Sequence, residues 1–186
     1  MHEHRCAQPL PTARPERAWH WRQMVPADLD AVMHIAGQVH PQFPEDRAVF
    51  ANKLDLYAEG ALLLDSGQGP AGYCFAHPWH GAQPPPLNTI LARIPASADA
   101  LYLHDLALLP QAHGGGAGTA AIAILLAKAA GLHLERCCLV AVNGSVPFWS
   151  RQGFVVTAPV ELYARLASYG ADAHFMVRSV TPSSMR

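Results

Sequence analysis

The run His113-Gly114-Gly115-Gly116-Ala117-Gly118-Thr119 offers the most specific chemistry in this chain. It follows an apolar stretch, Leu101 to Leu109, that Pro110 ends because proline cannot donate to a strand ladder. It precedes a segment rich in Ala, Ile and Leu that stops at Gly131. Strand, glycine loop and helix in that order leave backbone N–H groups unbonded at the positive end of a helix dipole. Glycine, lacking Cβ, lets an anion approach them. The predicted chemistry is the holding of phosphate oxygens by main chain. The Lys-Ser/Thr pair of a Walker loop is missing, since Thr119 and Ala120 follow Gly118. A dinucleotide fingerprint is also excluded: Glu135 stands near the acidic position, but the second half-fold is absent.

A second chemical feature lies on the strand before the loop, where His104 and Asp105 are adjacent. Imidazole titrates near neutral pH, and burial can raise a carboxyl towards that range, so either could take a proton from a substrate. Strict strand alternation allows only one of them to face a given site. An equal alternative is structural, with Asp105 fixing a loop and His104 satisfied in the core.

The elements that must position these residues read as mixed α and β. Trp19 to Met24 alternates as a first strand. With Pro26 at a helix start, Asp28 to Ala36 predicts an amphipathic helix with Leu29, Val32, Met33 and Ile35 or Ala36 inward. The loop His40 to Glu45 leads into a second helix, Asp46 to Tyr57, with Val49, Phe50, Leu54 and Tyr57 on one face. Ala61 to Asp65 and Ala71 to His77 predict a hairpin. Residues 78–100, containing Pro84-Pro85-Pro86, form a long connection with a short helix expected over Leu87 to Ile94. The segment Gly116 to Gly131 reads as a buried helix, Pro159 to Ser168 as another, and Ala173 to Arg178 as the last strand. Strands and helices that do not alternate strictly predict an α/β fold of the α+β mixed-sheet kind. The proline-rich residues 1–18 read as a flexible lead-in, and 19–186 as one domain.

Composition narrows the function classes. The formal charge is −1 and the only lysines are Lys53 and Lys128, so no nucleic-acid footprint exists. Ala120 to Ala130 is interrupted by Lys128 and too short to cross a bilayer, and no apolar leader opens the chain. A cytoplasmic protein with no membrane partner is expected. Of the four cysteines, Cys137 and Cys138 are neighbours on one strand and point to opposite faces, so free buried thiols are expected. Neither His2-Glu3-His4-Arg5-Cys6 nor His77-Pro78-Trp79-His80 has the partner motif of a metal centre, and no metal is expected.

Two blocks in order carry a family resemblance. Leu106-Ala107-Leu108-Leu109-Pro110 followed by His113, Gly116 and Gly118 resembles the acetyl-CoA motif of the GNAT superfamily of N-acetyltransferases, [Q/R]-x-x-G-x-[G/A]. A second register, with Gln111, Gly114 and Gly116, also fits. Leu139 to Phe154 resembles the family's next block, in which a strand ends at Asn143, a short helix carries Phe148-Trp149, and Gly153-Phe154 opens a strand. The likeness spans roughly residues 19–180.

The resemblance implies a central, mostly antiparallel sheet whose middle strands splay apart, with helices on both faces. It implies acetyl-CoA as co-substrate and direct acetyl transfer to a primary amine of a small molecule or amino acid. Backbone of Leu106, Ala107 and Leu108 would meet the pantetheine arm, and His113, Gly114, Gly115, Gly116, Ala117, Gly118 and Thr119 the pyrophosphate. Asn143, Phe148 and Trp149 would line the cofactor. Asp105 or His104 would take the amine proton. Many members carry Tyr at the position of Trp149 to reprotonate the thiolate, and indole cannot do this, so Tyr169, Tyr163 or water would replace it. Glu45, His77 and Trp79 would contact the acceptor, with Asp46 and Tyr169 nearby, and a homodimer is compatible with the reading.

Two other readings compete. His113-Gly114-Gly115-Gly116 could be an esterase oxyanion motif, but no G-x-S-x-G elbow accompanies it. An acyl-CoA-binding module that has lost its acid and base also fits Trp149, and turnover with amines separates it from an enzyme.

Overall fold

The computed structural model describes residues 19–81, 83–157 and 162–180. The expectations for the lead-in and for the His2 to Cys6 cluster lie outside these residues, as does the start of the helix expected over Pro159 to Ser168.

Seven strands form one sheet in the order β1-β2-β3-β4-β5-β7-β6, comprising β1 (His20–Gln23), β2 (Ala61–Asp65), β3 (Pro70–Trp79), β4 (Ala100–Leu108), β5 (Arg136–Ala141), β6 (Val155–Val156) and β7 (His174–Ser179). Every pairing is antiparallel except β4 with β5. The β2–β3 hairpin turns where Asp65 Oδ1 accepts the Gly67 N–H, and Gly67 and Gly69 supply the positive φ that such a turn requires.

Helices cover both faces. On one side α1 (Leu29–Val39) and α2 (Arg47–Leu56) bury Leu29, Val32, Ile35, Phe50 and Leu54 against Leu63, Tyr73, Phe75 and Ala107. On the other, α3 (Ala117–Gly131) buries Ile122, Leu125 and Ala129 against Cys74, Leu101, Leu103 and Leu139, with Trp149 of α4 (Val146–Arg151) joining that core. A short helix, α5 (Tyr163–Leu166), continues as a 3-10 turn to Tyr169. The result is the mixed α/β fold the sequence predicts. Cys74, Cys137 and Cys138 are free and buried, and burial pushes the Cys137 thiol up to about 12. No helix among the described residues is long and apolar enough to cross a membrane.

Two expectations about helices are corrected. The α3 helix is not wholly buried, because Thr119, Ala120, Ala123 and Ala127 face solvent. An alanine methyl exposes so little apolar area that a stripe of them on an outer face costs little. Nor do residues 87–94 form a helix. Asn88 adopts φ 52°, and its side chain accepts the Asp46 N–H at 2.8 Å, while its own N–H donates to Glu45 Oε1 at 3.0 Å. These bonds staple an irregular segment to the loop before α2, and reciprocal bonds between Asn52 and Leu91 continue the staple.

Candidate active site

The site begins where two strands part. Strands β4 and β5 are paired only at Leu101 with Cys137 and Tyr102 with Cys138, and both continue past that pairing, so they diverge from Leu103 and Leu139 onward. A cavity of about 750 Å³ occupies the wedge. One end is lined by Leu106, Leu108, His113, Gly114, Gly116, Ala117, Gly118, Thr119, Asn143, Phe148 and Trp149. The other is lined by Val39, His40, Phe43, Glu45, Leu87, His104, Asp105 and Tyr169.

The glycine run turns as its composition requires. Gly114 and Gly116 have φ 77° and 78°, and Gly116 is the N-cap of α3. A Cβ built on Gly114, Gly115 or Gly116 would meet nothing within 4 Å, so the concavity in front of the helix is open. The N–H groups of Ala117, Gly118 and Thr119 have no preceding helical turn to bond. The absence of a side chain at Gly118 also serves packing: a Cβ there would stand 3.0 Å from Phe148 Cζ. The His113 side chain ties the loop to the strand end, its Nε2 standing 3.0 Å from the Leu108 carbonyl.

Strict alternation fails at the other end. The β3–β4 register shifts between Phe75 and Ala76, so that Phe75 faces Asp105 while Ala76 faces Leu103, and His104 is the extra residue of a bulge. Leu103 and Leu106 therefore enter the same core, and His104 and Asp105 share the face towards α1 and α2. The expectation that only one of the pair could face the site is thus overturned.

The loop after α1 meets both residues with crossed pairs. His40 Nε2 lies 3.0 Å from Asp105 Oδ1, and Glu45 Oε2 lies 2.7 Å from His104 Nε2. Asp105 also accepts the Tyr73 hydroxyl, and Lys53 Nζ stands 3.7 Å from Glu45 Oε1. Burial would raise the Glu45 carboxyl, but His104, Lys53 and the Asn88 N–H together lower it to about 2. Burial would lower His40, and the carboxylates of Asp105 and then Glu45 more than offset this, raising its pKa. Asp105 keeps 16% of its side chain exposed and His104 only 1%, so Asp105 is the more accessible of the two.

Tyr169 lines the cavity, yet its hydroxyl donates to the Pro85 carbonyl at 2.5 Å and sits 3.1 Å from the Tyr102 hydroxyl. Burial, with Glu45 and Asp105 adding to it, pushes it up to about 12. Its proton already has a partner, so the expected role as thiolate acid has no geometric support. Tyr169 clasps the 83–99 segment to α5. Tyr169→Phe should cost about 1–3 kcal/mol of stability by leaving buried oxygens unpaired. The kcat should stay within tenfold, as measured by thermal melts and steady-state kinetics.

His77 and Trp79 do not line the cavity. His77 is 1% exposed and packs against the rings of Trp79 and Tyr102, and burial lowers its pKa to about 3. Trp79 donates to the Gln83 carbonyl at 2.7 Å, and Asp46 is engaged by Asn88. Ala107 is fully buried on the α1/α2 side, leaving only its backbone for the wedge, and Gly115 lies at the loop without lining the cavity. His40, Tyr73 and Lys53 belong to the site and sequence reasoning did not find them. No local motif marks them: His40 and Tyr73 matter only through Asp105, more than thirty residues away, and Lys53 only through Glu45 across the turn into α2.

Solved structures share this fold. Ard1 from Thermoplasma volcanium is similar with a TM-score of 0.68 at 17% identity, over 88% of this chain and 99% of that one. The loading GNATL domain of CurA from Lyngbya majuscula gives 0.72 at 11% identity, over 87% and 98%. N-acetylglutamate synthase from Neisseria gonorrhoeae, complexed with coenzyme A and N-acetyl-glutamate, gives 0.64 at 23% identity, over 89% of this chain and 36% of that one. At such identities the likeness is one of fold. Among curated proteins nothing matches the chain. The sequence model of the Acetyltransferase (GNAT) family matches residues 19–154, which hold the splayed strands, the glycine loop and the Asn143 to Phe154 block, and the chain belongs to that family.

Proposed function

We propose that this protein transfers an acetyl group from acetyl-CoA directly to the primary amine of a small molecule. One observation carries the reading: a single cavity runs from an open glycine-loop concavity at a helix N-terminus to a cluster of imidazoles and carboxylates. The open space in front of Gly114 to Gly116, where no Cβ would meet an atom, fits a pyrophosphate. Several CoA-bound structures share the fold, including PaiA N-acetyltransferase from Thermoplasma acidophilum in complex with coenzyme A.

Bound acetyl-CoA would supply an activated thioester. Backbone N–H groups of residues 116–119 would hold its phosphates, and the edge of β4 left free beyond Tyr102 would align its arm. The Asp105–His40 pair would take the proton from the amine as nitrogen forms the new C–N bond. The C–S bond breaks with its electron pair on sulfur, which takes a proton from water. Glu45, held ionised, would anchor His104 and the loop rather than act as the base.

Saturation with acetyl-CoA at 100 times its dissociation constant should add about 2.7 kcal/mol. For a chain of 186 residues that is a rise in melting temperature of about 5–10 °C. Thiol release against a panel of amines should follow. Stabilisation without release would favour the binding module, and no shift at all would remove the acyl-CoA reading.

A further inference from the structure

The acceptor end of the cavity differs in charge from the phosphate end. Its polar side chains are the carboxylates of Glu45 and Asp105, the imidazoles of His40 and His104, and Tyr169, whose hydroxyl is taken up by the Pro85 carbonyl and Tyr102. Its apolar wall comes from Val39, Phe43 and Leu87. Lys53, the lysine paired with Glu45, is 3% exposed and does not line the cavity. The lining's one guanidinium among the described residues is Arg151, on α4 beside the glycine-loop end.

From this distribution, and resting on the acetyl-transfer reading above, we infer that the acceptor is a compact amine with an apolar body and no carboxylate beside its nitrogen. An ammonium entering this end meets two carboxylates and gives up its proton to the Asp105–His40 pair. An α-carboxylate carried in with it would sit against Asp105 and Glu45; among the described residues no arginine or lysine lines this end to receive it, and the imidazoles of His40 and His104 are already turned through Nε2 onto those same carboxylates. A buried charge without a partner is strongly disfavoured. Like charges brought together are what most strongly turns a ligand away.

The two carboxylates are felt by the groups nearest them, while His104 and Lys53 keep Glu45 itself ionised. The His40 imidazole rises despite its burial, with Asp105 and Glu45 as the raising groups. Those same two carboxylates add to burial in raising Tyr169.

Size is set by the closure of the wall. Asn88 bonds both Glu45 and Asp46, and Tyr169 bonds Pro85, so the loop before α2, the 83–99 segment and the turn after α5 are joined around this end. A ring or short branched chain can rest on Phe43 and Leu87, whereas an extended peptide would have to part these bonds.

The test uses the full chain and matched probes. 2-Phenylethylamine, L-phenylalaninamide and L-phenylalanine have similar bodies, and the last two differ in the charge of one group. Isoamylamine and L-leucine repeat the comparison without a ring. Thiol release should give the amine and the amide a kcat/KM roughly a hundredfold or more above the amino acid. Glu45→Gln should narrow the gap between amide and amino acid. An amino acid within threefold of its amide overturns the inference while leaving acetyl transfer intact.

Calorimetric titration of the same probes into CoA-saturated protein separates the two claims. If no probe releases thiol, acetyl transfer to these amines fails, and the titration still reads the pocket. Binding of amine and amide without the amino acid upholds the inference. Equal binding of all three, or none, overturns it.

Discussion

Asp105→Asn should lower kcat by roughly a hundred- to ten-thousandfold, the range that a positioned proton acceptor contributes, while the fold survives. The amide keeps the volume of the carboxylate and can still accept the Tyr73 hydroxyl through its oxygen. It cannot hold a charge beside His40. With Asp105 neutral, burial becomes the dominant influence on His40, and the imidazole pKa falls from its raised position. The acid limb of the kcat/KM profile should then move to lower pH, because the pair loses its base form only under more acidic conditions. A residue that merely braced the strand would change the melting temperature and leave that limb in place. A variant within threefold of wild-type kcat, with an unmoved limb, would remove Asp105 from the chemistry. His40→Gln should reproduce the loss of rate and abolish the limb.

The largest effect on stability should come from Gly60→Ala. A Cβ there would stand 1.9 Å from the Ala76 carbonyl oxygen and 2.7 Å from the Tyr57 ring, and the first contact is with backbone of the central strand β3. The strand cannot yield without disturbing the register that holds the bulge at His104. We expect a loss of more than about 3 kcal/mol, which for this chain length is a fall of about 6–12 °C or more. Gly37→Ala is the control. Gly37 is exposed within α1 and its added Cβ meets nothing within 4 Å. The exchange should stabilise the protein by about 0.5–1 kcal/mol, since glycine carries an entropic cost in a helix. Equal melting temperatures for the two variants would refute the packing argument at Gly60.

The same physics explains which parts of the molecule could be read in advance. The elements were legible wherever a local rule decides them. Alternation marked β1, the turn Ser66-Gly67-Gln68-Gly69 between apolar runs marked the β2–β3 hairpin, helical spacing marked α1 and α2, and Pro110 and Gly131 bounded the strand end and the helix around the glycine run. The glycine loop was legible for the same reason, because a positive φ at Gly114 and Gly116 is a property of the residue itself.

The outer face of α3 misled because hydropathy does not record that an exposed alanine is cheap. The 87–94 segment misled because Asn88 takes its bonds from a loop 42 residues away rather than from its own neighbours.

By itself the sequence determined the order of elements, the phosphate-type loop and its family, since each rests on residue types within a few positions of one another. Tertiary structure alone decided which side chains share the acceptor end. One bulge residue turned His104 and Asp105 to the same face, where alternation would have parted them. Chain reversal after α1 then brought His40 and Glu45 across them in opposite pairs. Register and long-range pairing depend on the whole sheet closing at once, so no local pattern could have announced the Asp105–His40 pair.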